Sequence, residues 1–262
     1  MLDQKIKYCI EKNLIDFYLS WKDHHSIHFH ENEMFSFIKN IKNSWPNYIF
    51  NKKQKNNSFS KSLNVLKQQK YNEVVPSFWL LNSDIAFENE QHLREKKIFP
   101  VKVWTGMYLE KDSLFDEKEI KDFTIELVNN TSDLTNFLKI INTVIFRQNI
   151  LTKDLFISKM NDDGFQFYVG KHNNEIVSTL LLFYNGDTTG IYFMANTEKH
   201  RNKGYASSLL KRALNDSINT SQTKFVLHAT TDGYPVYKKW GFVKYNQLIT
   251  FAGFQRKSTK HE

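Results

Sequence analysis

Alternation sets the reading of the second half of the chain. Residues 123–128 (FTIELV) alternate apolar and polar side chains, the period of a strand with one buried face. Thr131, Ser132 and Asp133 then offer an N-cap to a helix whose apolar positions, Leu134, Phe137, Leu138, Ile141 and Val144, recur at helical spacing. A short helix is expected around 153–160. Strands at 165–170 (FQFYVG) and 176–184 (IVSTLLLFY) flank the turn 171–175, whose Asn173-Asn174 tip suits a hairpin. A second turn at 185–187 leads into 190–195 (GIYFMA). Helical spacing returns near Gly204, where Ala206, Leu209, Leu210, Ala213 and Leu214 line one face. A strand at 224–228 (KFVLH), a short helix through Tyr237 and a closing hairpin at 242–254 complete the half. The order β, α, α, β, β, β, α, β, α, β predicts an α/β protein, a mixed β-sheet flanked by helices.

The first half is less periodic. Residues 76–110 read as a strand, a short helix ending near Lys97, and a strand closing with Gly106 and Met107. The polar stretch 51–70 reads as a loop running into a helix. The charged stretch 109–122 (LEKDSLFDEKEIKD) has the composition of an inter-domain connection, which places the expected domains at 1–120 and 121–262.

Residues 194–210 (MANTEKHRNKGYASSLL) carry the most chemistry. A strand runs into a short loop, a Gly-containing turn and an amphipathic helix. The N–H groups of Asn202 to Ala206 would be the free donors at that helix start, where the helix dipole adds about half a positive charge. A diphosphate suits such a place. Gly204 lets the backbone approach phosphate without a Cβ in the way, and Ala206 is small enough to do the same. Other phosphate cradles and nucleophile motifs do not occur: no G-x-x-x-x-G-K-[ST], no G-x-G-x-x-G, no G-x-S-x-G and no H-E-x-x-H.

The run Arg201, Asn202, Lys203, Gly204, Tyr205, Ala206 resembles the R/Q-x-x-G-x-G/A coenzyme A signature of the GNAT acetyltransferase superfamily. Residues 227–242 (LHATTDGYPVYKKWGF) resemble its second motif, ending in Tyr237, Gly241 and Phe242. The resemblance covers 122–262 and implies the GNAT acyl-CoA transferase fold and an N-acetyltransferase. It implies acetyl-CoA as co-substrate, held by Met194, Ala195, Asn196, Arg201, Asn202, Lys203, Gly204, Tyr205, Ala206 and Thr230. The amine of a small molecule or a protein would attack the thioester directly. Backbone N–H groups near the end of 191–195 would polarise the carbonyl, and Tyr237 would protonate the departing thiolate. Two residues depart from the pattern: Asn202 stands where many members have Gly, and Thr230 where a common version has Asn. The base is open. His228, at a strand end, has the right intrinsic pKa, although a satisfied or solvent-facing histidine is the stronger reading, and Tyr192 could touch the acceptor or merely pack. Residues 76–110 resemble the reduced, cofactor-less GNAT-like half that precedes the active half in some two-domain members; an unrelated lid or dimerisation domain is the alternative. Two other activities stay open, a non-catalytic acetyl-CoA-binding sensor or scaffold and an aminoacyl-RNA-dependent transferase, although the intact coenzyme A motif speaks against the second.

Composition narrows the setting. The single cysteine, Cys9, excludes an internal disulfide, the first residues lack an apolar signal segment, and no apolar run approaches the ~20 residues of a membrane span. A cytoplasmic protein that needs no membrane is expected; a homodimer is left open. The net charge of +8 is scattered rather than clustered, which suits an anionic cofactor better than nucleic acid. His24, His25, His28, His30 and Glu31 cannot all point inward from one regular element, and no cysteine joins them, so no metal is expected.

Overall fold

Strand pairing joins the two halves of the sequence into one sheet. The computed structural model describes residues 2–52, 61, 62, 64 and 75–252. The first half supplies β1 (Ile27–Glu31), β2 (Phe35–Asn40), β3 (Asn47–Asn51), β4 (Phe78–Asn82) and β5 (Phe99–Glu110). The second supplies β6 (Phe123–Leu127), β7 (Phe165–His172), β8 (Glu175–Asn185), β9 (Thr188–Asn196), β10 (Lys224–Ala229) and β11 (Val243–Ala252). Their spatial order is β1-β2-β3-β4-β11-β5-β10-β9-β8-β7-β6. The pairs β3–β4 and β9–β10 are parallel and the others antiparallel, so the sheet is mixed, as the alternation implied.

The last strand of each half sits in the other half. β11 lies against β4, β5 lies against β10, and the two exchanged strands pair with each other at the centre. A cut near residue 120 therefore divides the chain without dividing the sheet. The expected closing hairpin at 242–254 is instead the single strand β11, because β4 and β5 already occupy both its edges. Residues 253 and 254, like most of the polar stretch 51–70, lie outside the described residues.

Helices cover both faces. On one lie α1 (Leu2–Leu19), α4 (Thr131–Ile141), continued by a π-helical turn (Asn142–Phe146), and α5 (Lys153–Ile157). On the other lie α2 (Ser83–Glu88) and α3 (Glu90–Glu95) over the first half, and α6 (Tyr205–Asn219) and α7 (Tyr234–Lys239) over the second. The sequence reading named no element before residue 51, yet α1 is central. Ile6, Ile10, Asn13, Leu14, Phe17 and Tyr18 form one buried stripe at helical spacing. That stripe crosses the exchanged strands and reaches β9 and β10. Phe17 stacks on Tyr192 at 3.7 Å and meets Trp21 edge-on at 5.0 Å, so a helix from the first half seals the core of the second.

Candidate active site

The parallel strands β9 and β10 begin in register and then separate. Lys224 to Leu227 pair with Thr188 to Ile191, and no pair follows although both strands continue. The cause lies on the other edge of β9. Thr179 faces Ala195 and Leu181 faces Tyr192, so Phe193 and Met194 together oppose the single residue Leu180. This is a β-bulge, and Phe193 takes the positive φ of 49° that bulges allow. The Thr179 hydroxyl donates to the Phe193 carbonyl at 3.0 Å and holds the bulge in place. Backbone polar groups of β9 are thereby turned out of the ladder where β10 no longer accepts them.

Beyond β9 the chain makes a short 3₁₀ turn (Glu198–His200) and enters α6 through the predicted cradle. Gly204 is the N-cap at φ 82°, and no side chain caps the helix. The first helical bond runs from the Ser208 N–H to the Gly204 carbonyl, so the N–H groups of Tyr205, Ala206 and Ser207 precede the ladder. Asn202 has φ 60°, in the left-handed region that Gly enters without steric cost. Asn is among the few other residues that accept this conformation, so the departure is conformationally neutral. Lys199, Arg201 and Lys203 surround the turn, and Arg201, Asn202, Lys203 and Gly204 are exposed. Burial and the neighbouring Lys203 charge both lower the pKa of His200. An anion arriving here meets uncapped amides and net positive charge.

The remaining sequence-predicted residues have mixed fates. The Tyr205 side chain is buried and stacked on Phe123 at 4.3 Å, so it anchors the helix and leaves only its amide for a ligand. Ala195 is buried, Met194 and Ala206 are half-buried, and Asn196 Oδ1 accepts from Ser178 Oγ at 2.6 Å. Thr230 Oγ1 accepts from the Gly233 N–H at 3.1 Å, capping the turn into α7 with the acceptor side of its hydroxyl.

Tyr237 reaches the separated strands from α7. Its hydroxyl donates to the Met194 sulfur at 3.4 Å, and its ring meets Phe242 edge-on at 5.9 Å. Packing and placement thus coexist in this residue. Burial pushes its pKa up to about 12, keeping the phenol protonated through the physiological range.

His228 and Tyr192 face the opposite side, under α1. Burial pushes the His228 pKa down to about 3, so the ring is neutral and a weak base. It is suited to accepting a hydrogen bond rather than to stripping a proton from an ammonium. Tyr192 packs on Phe17 and donates to Asn13 Oδ1 at 2.7 Å, which closes it off from an acceptor. Asn13 and Phe17 were missed in the sequence, where nothing ties them to residues so far along the chain. A groove of about 840 Å³ runs between Lys139 on α4 and the loop Thr197–His200. It borders the cradle loop but contains neither Gly204 nor Tyr237.

Residues 132–256 match the family model for the acetyltransferase (GNAT) domain. No curated protein matches the sequence. A GCN5-related N-acetyltransferase from Kribbella flavida shares the fold with a TM-score of 0.70 at 10% identity, covering 92% of this chain and 95% of that one. A second, from Sphaerobacter thermophilus, gives 0.65 at 11% identity, covering 93% and 88%. A conserved protein of unknown function from Staphylococcus epidermidis gives 0.64 at 15% identity, covering 93% and 98%. These likenesses extend over both halves of the molecule and concern the fold.

Proposed function

Since residues 132–256 form an acetyltransferase domain of the GNAT family, we propose that the protein is an N-acetyltransferase using acetyl-CoA and a primary amine of a small molecule or protein. The observation that carries this reading is the uncapped start of α6, with Gly204 at φ 82°, directly after a strand that has parted from its parallel neighbour. The amides of Asn202 to Ala206 take the diphosphate, and Arg201 and Lys203 add charge. The gap between β9 and β10 receives the thioester arm beside Met194, Ala195 and Asn196, and the unused Thr230 hydroxyl proton is available to the same ligand.

The amine nitrogen bonds to the acetyl carbon as the carbon–sulfur bond breaks. Tyr237 gives its proton to the sulfur, a role supported by the thioether it already meets in Met194. With His228 neutral and weakly basic, the acceptor ammonium loses one proton to solvent before attack. The second proton, shed from nitrogen as the amide forms, restores the Tyr237 phenol by way of solvent. The first half, 1–120, serves as a reduced GNAT-like unit whose α1 walls the site. No residue of this scheme needs a metal.

A free-thiol release assay across a panel of amines tests the proposal. Thiol release with at least one amine, strongly reduced in Tyr237→Phe, supports catalysis. Coenzyme A binding without turnover on any acceptor would favour the sensor reading instead.

A further inference from the structure

The turn between α1 and β1 carries His24 and His25, and the first turn of α5 brings Asp154 against them across 130 positions of sequence. Asp154 Oδ2 lies 3.3 Å from His25 Nε2 and 3.7 Å from His24 Nε2. The ligand atoms of all three groups lie within 4.8 Å of one another. A tetrahedral ion bonded at about 2.0–2.1 Å holds its ligands about 3.3 Å apart, so modest side-chain rotations would complete the geometry.

The backbone beneath the cluster is fixed independently. Trp21 is 1% exposed, its Nε1 donates to the Leu155 carbonyl at 3.1 Å, and its ring meets Phe156 at 5.2 Å. His24 is oriented from behind, with Nδ1 lying 2.9 Å from the hydroxyl of buried Ser26. A ligating histidine needs such a partner for its other nitrogen. The Ser26 amide donates to Nδ1 at 3.2 Å and His24 Nε2 lies 3.3 Å from the Asp154 carbonyl. Binding would move the ring proton from Nε2 to Nδ1, where Ser26 Oγ accepts it, at the expense of the amide contact. Lys42 Nζ, 3.0 Å from His25 Nε2, is the competing cation and must swing into solvent.

We propose that His24, His25 and Asp154 form a surface site for a divalent transition cation of the zinc class, with water completing its coordination. Two imidazoles and one carboxylate favour Zn²⁺, Ni²⁺ or Cu²⁺ over Mg²⁺ or Ca²⁺. The ion would staple the turn after α1 to α5, reinforcing the junction between the halves. His28 and His30 lie apart from it, their rings resting on Phe37 at 5.6 and 5.3 Å. The sequence pattern pointed away from a metal because its third ligand comes from the other half of the chain.

Calorimetric titration of the untagged full chain with Zn²⁺ at neutral pH is the test, repeated on His25→Ala and Asp154→Asn. One saturable equivalent is expected, weakened by at least about tenfold in each variant, the scale on which even outer-shell groups matter. His25 and Asp154 side chains are 57% and 63% exposed, so both variants should melt like the parent without metal. Added Zn²⁺ should then raise the melting temperature of the parent only. No saturable uptake by the parent, or uptake by both variants as strong as the parent's, would overturn the site.

Discussion

The two halves of the molecule follow one strand plan and use it differently. Each runs antiparallel strands into a parallel pair, β3–β4 or β9–β10, and closes on a strand taken from the other half. The contrast lies in what joins the parallel strands. Between β9 and β10 the chain passes through Gly204 at φ 82° and opens the uncapped start of α6. Between β3 and β4 there is no glycine at all, and the first of the chain's nine is Gly106. The first half has no glycine to place at such a turn, whereas the second has Gly204 there. One copy of the plan carries the proposed cradle; the other contributes strand and core.

The sharpest way to break this division of labour is through α1, the helix the halves share. Phe17 is 2% exposed and packed among Tyr18, Trp21, Trp45, Phe183 and Tyr192. Phe17→Ala should cost about 3–5 kcal/mol in urea denaturation, and the whole sheet should unfold as one transition. A second transition left in place would mean the halves are stable separately.

Tyr237 and Tyr192 sharpen the comparison between chemistry and packing. Tyr237→Phe loses only a contact to sulfur, so stability should hardly change while turnover falls about 10²-fold or more. Tyr192→Phe leaves Asn13 Oδ1 without its donor and should cost about 1–3 kcal/mol, with the turnover of the folded fraction retained. Equal kinetic losses in both would count against Tyr237 as the acid.

pH separates the two faces of the same strands. His228 has a folded pKa near 3 against about 6.5 unfolded, so its stabilising effect is complete above pH 6.5 and is lost as pH falls toward 3. Tyr237 behaves oppositely. Its pKa near 12 against about 10 unfolded means stability is complete below pH 10 and is lost as pH rises toward 12. At about 1.4 kcal/mol per pKa unit, the acid limb is the larger of the two. His228→Leu should flatten that limb in a chemical-denaturation series and leave the alkaline one in place.

The cradle was legible because its parts are contiguous: strand, loop, Gly204 and an amphipathic stripe within seventeen residues of sequence (194–210). The departure at Asn202 also became intelligible once its φ of 60° was known. What escaped the sequence is long-range. A two-residue period marks β5 and β11 as strands but cannot name their partners, so the exchange was invisible. Asn13 and Tyr192 meet across 179 positions, and nothing local in either residue announces it. The bulge at Phe193 has no composition of its own. It arises where one strand carries two residues against one, which only pairing reveals.

Calorimetric titration of coenzyme A into the parent protein and into Gly204→Val tests the cradle most directly. A Cβ at Gly204 would meet only Ile120 Cδ1 at 3.5 Å, so the variant suffers chiefly from the left-handed backbone, about 1–2 kcal/mol, and should still fold. The account predicts one saturable site in the parent and at least about tenfold weaker binding in the variant, since about 1.4 kcal/mol of lost contact corresponds to tenfold. Failure of the folded parent to take up coenzyme A, or equal binding by both proteins, would contradict it.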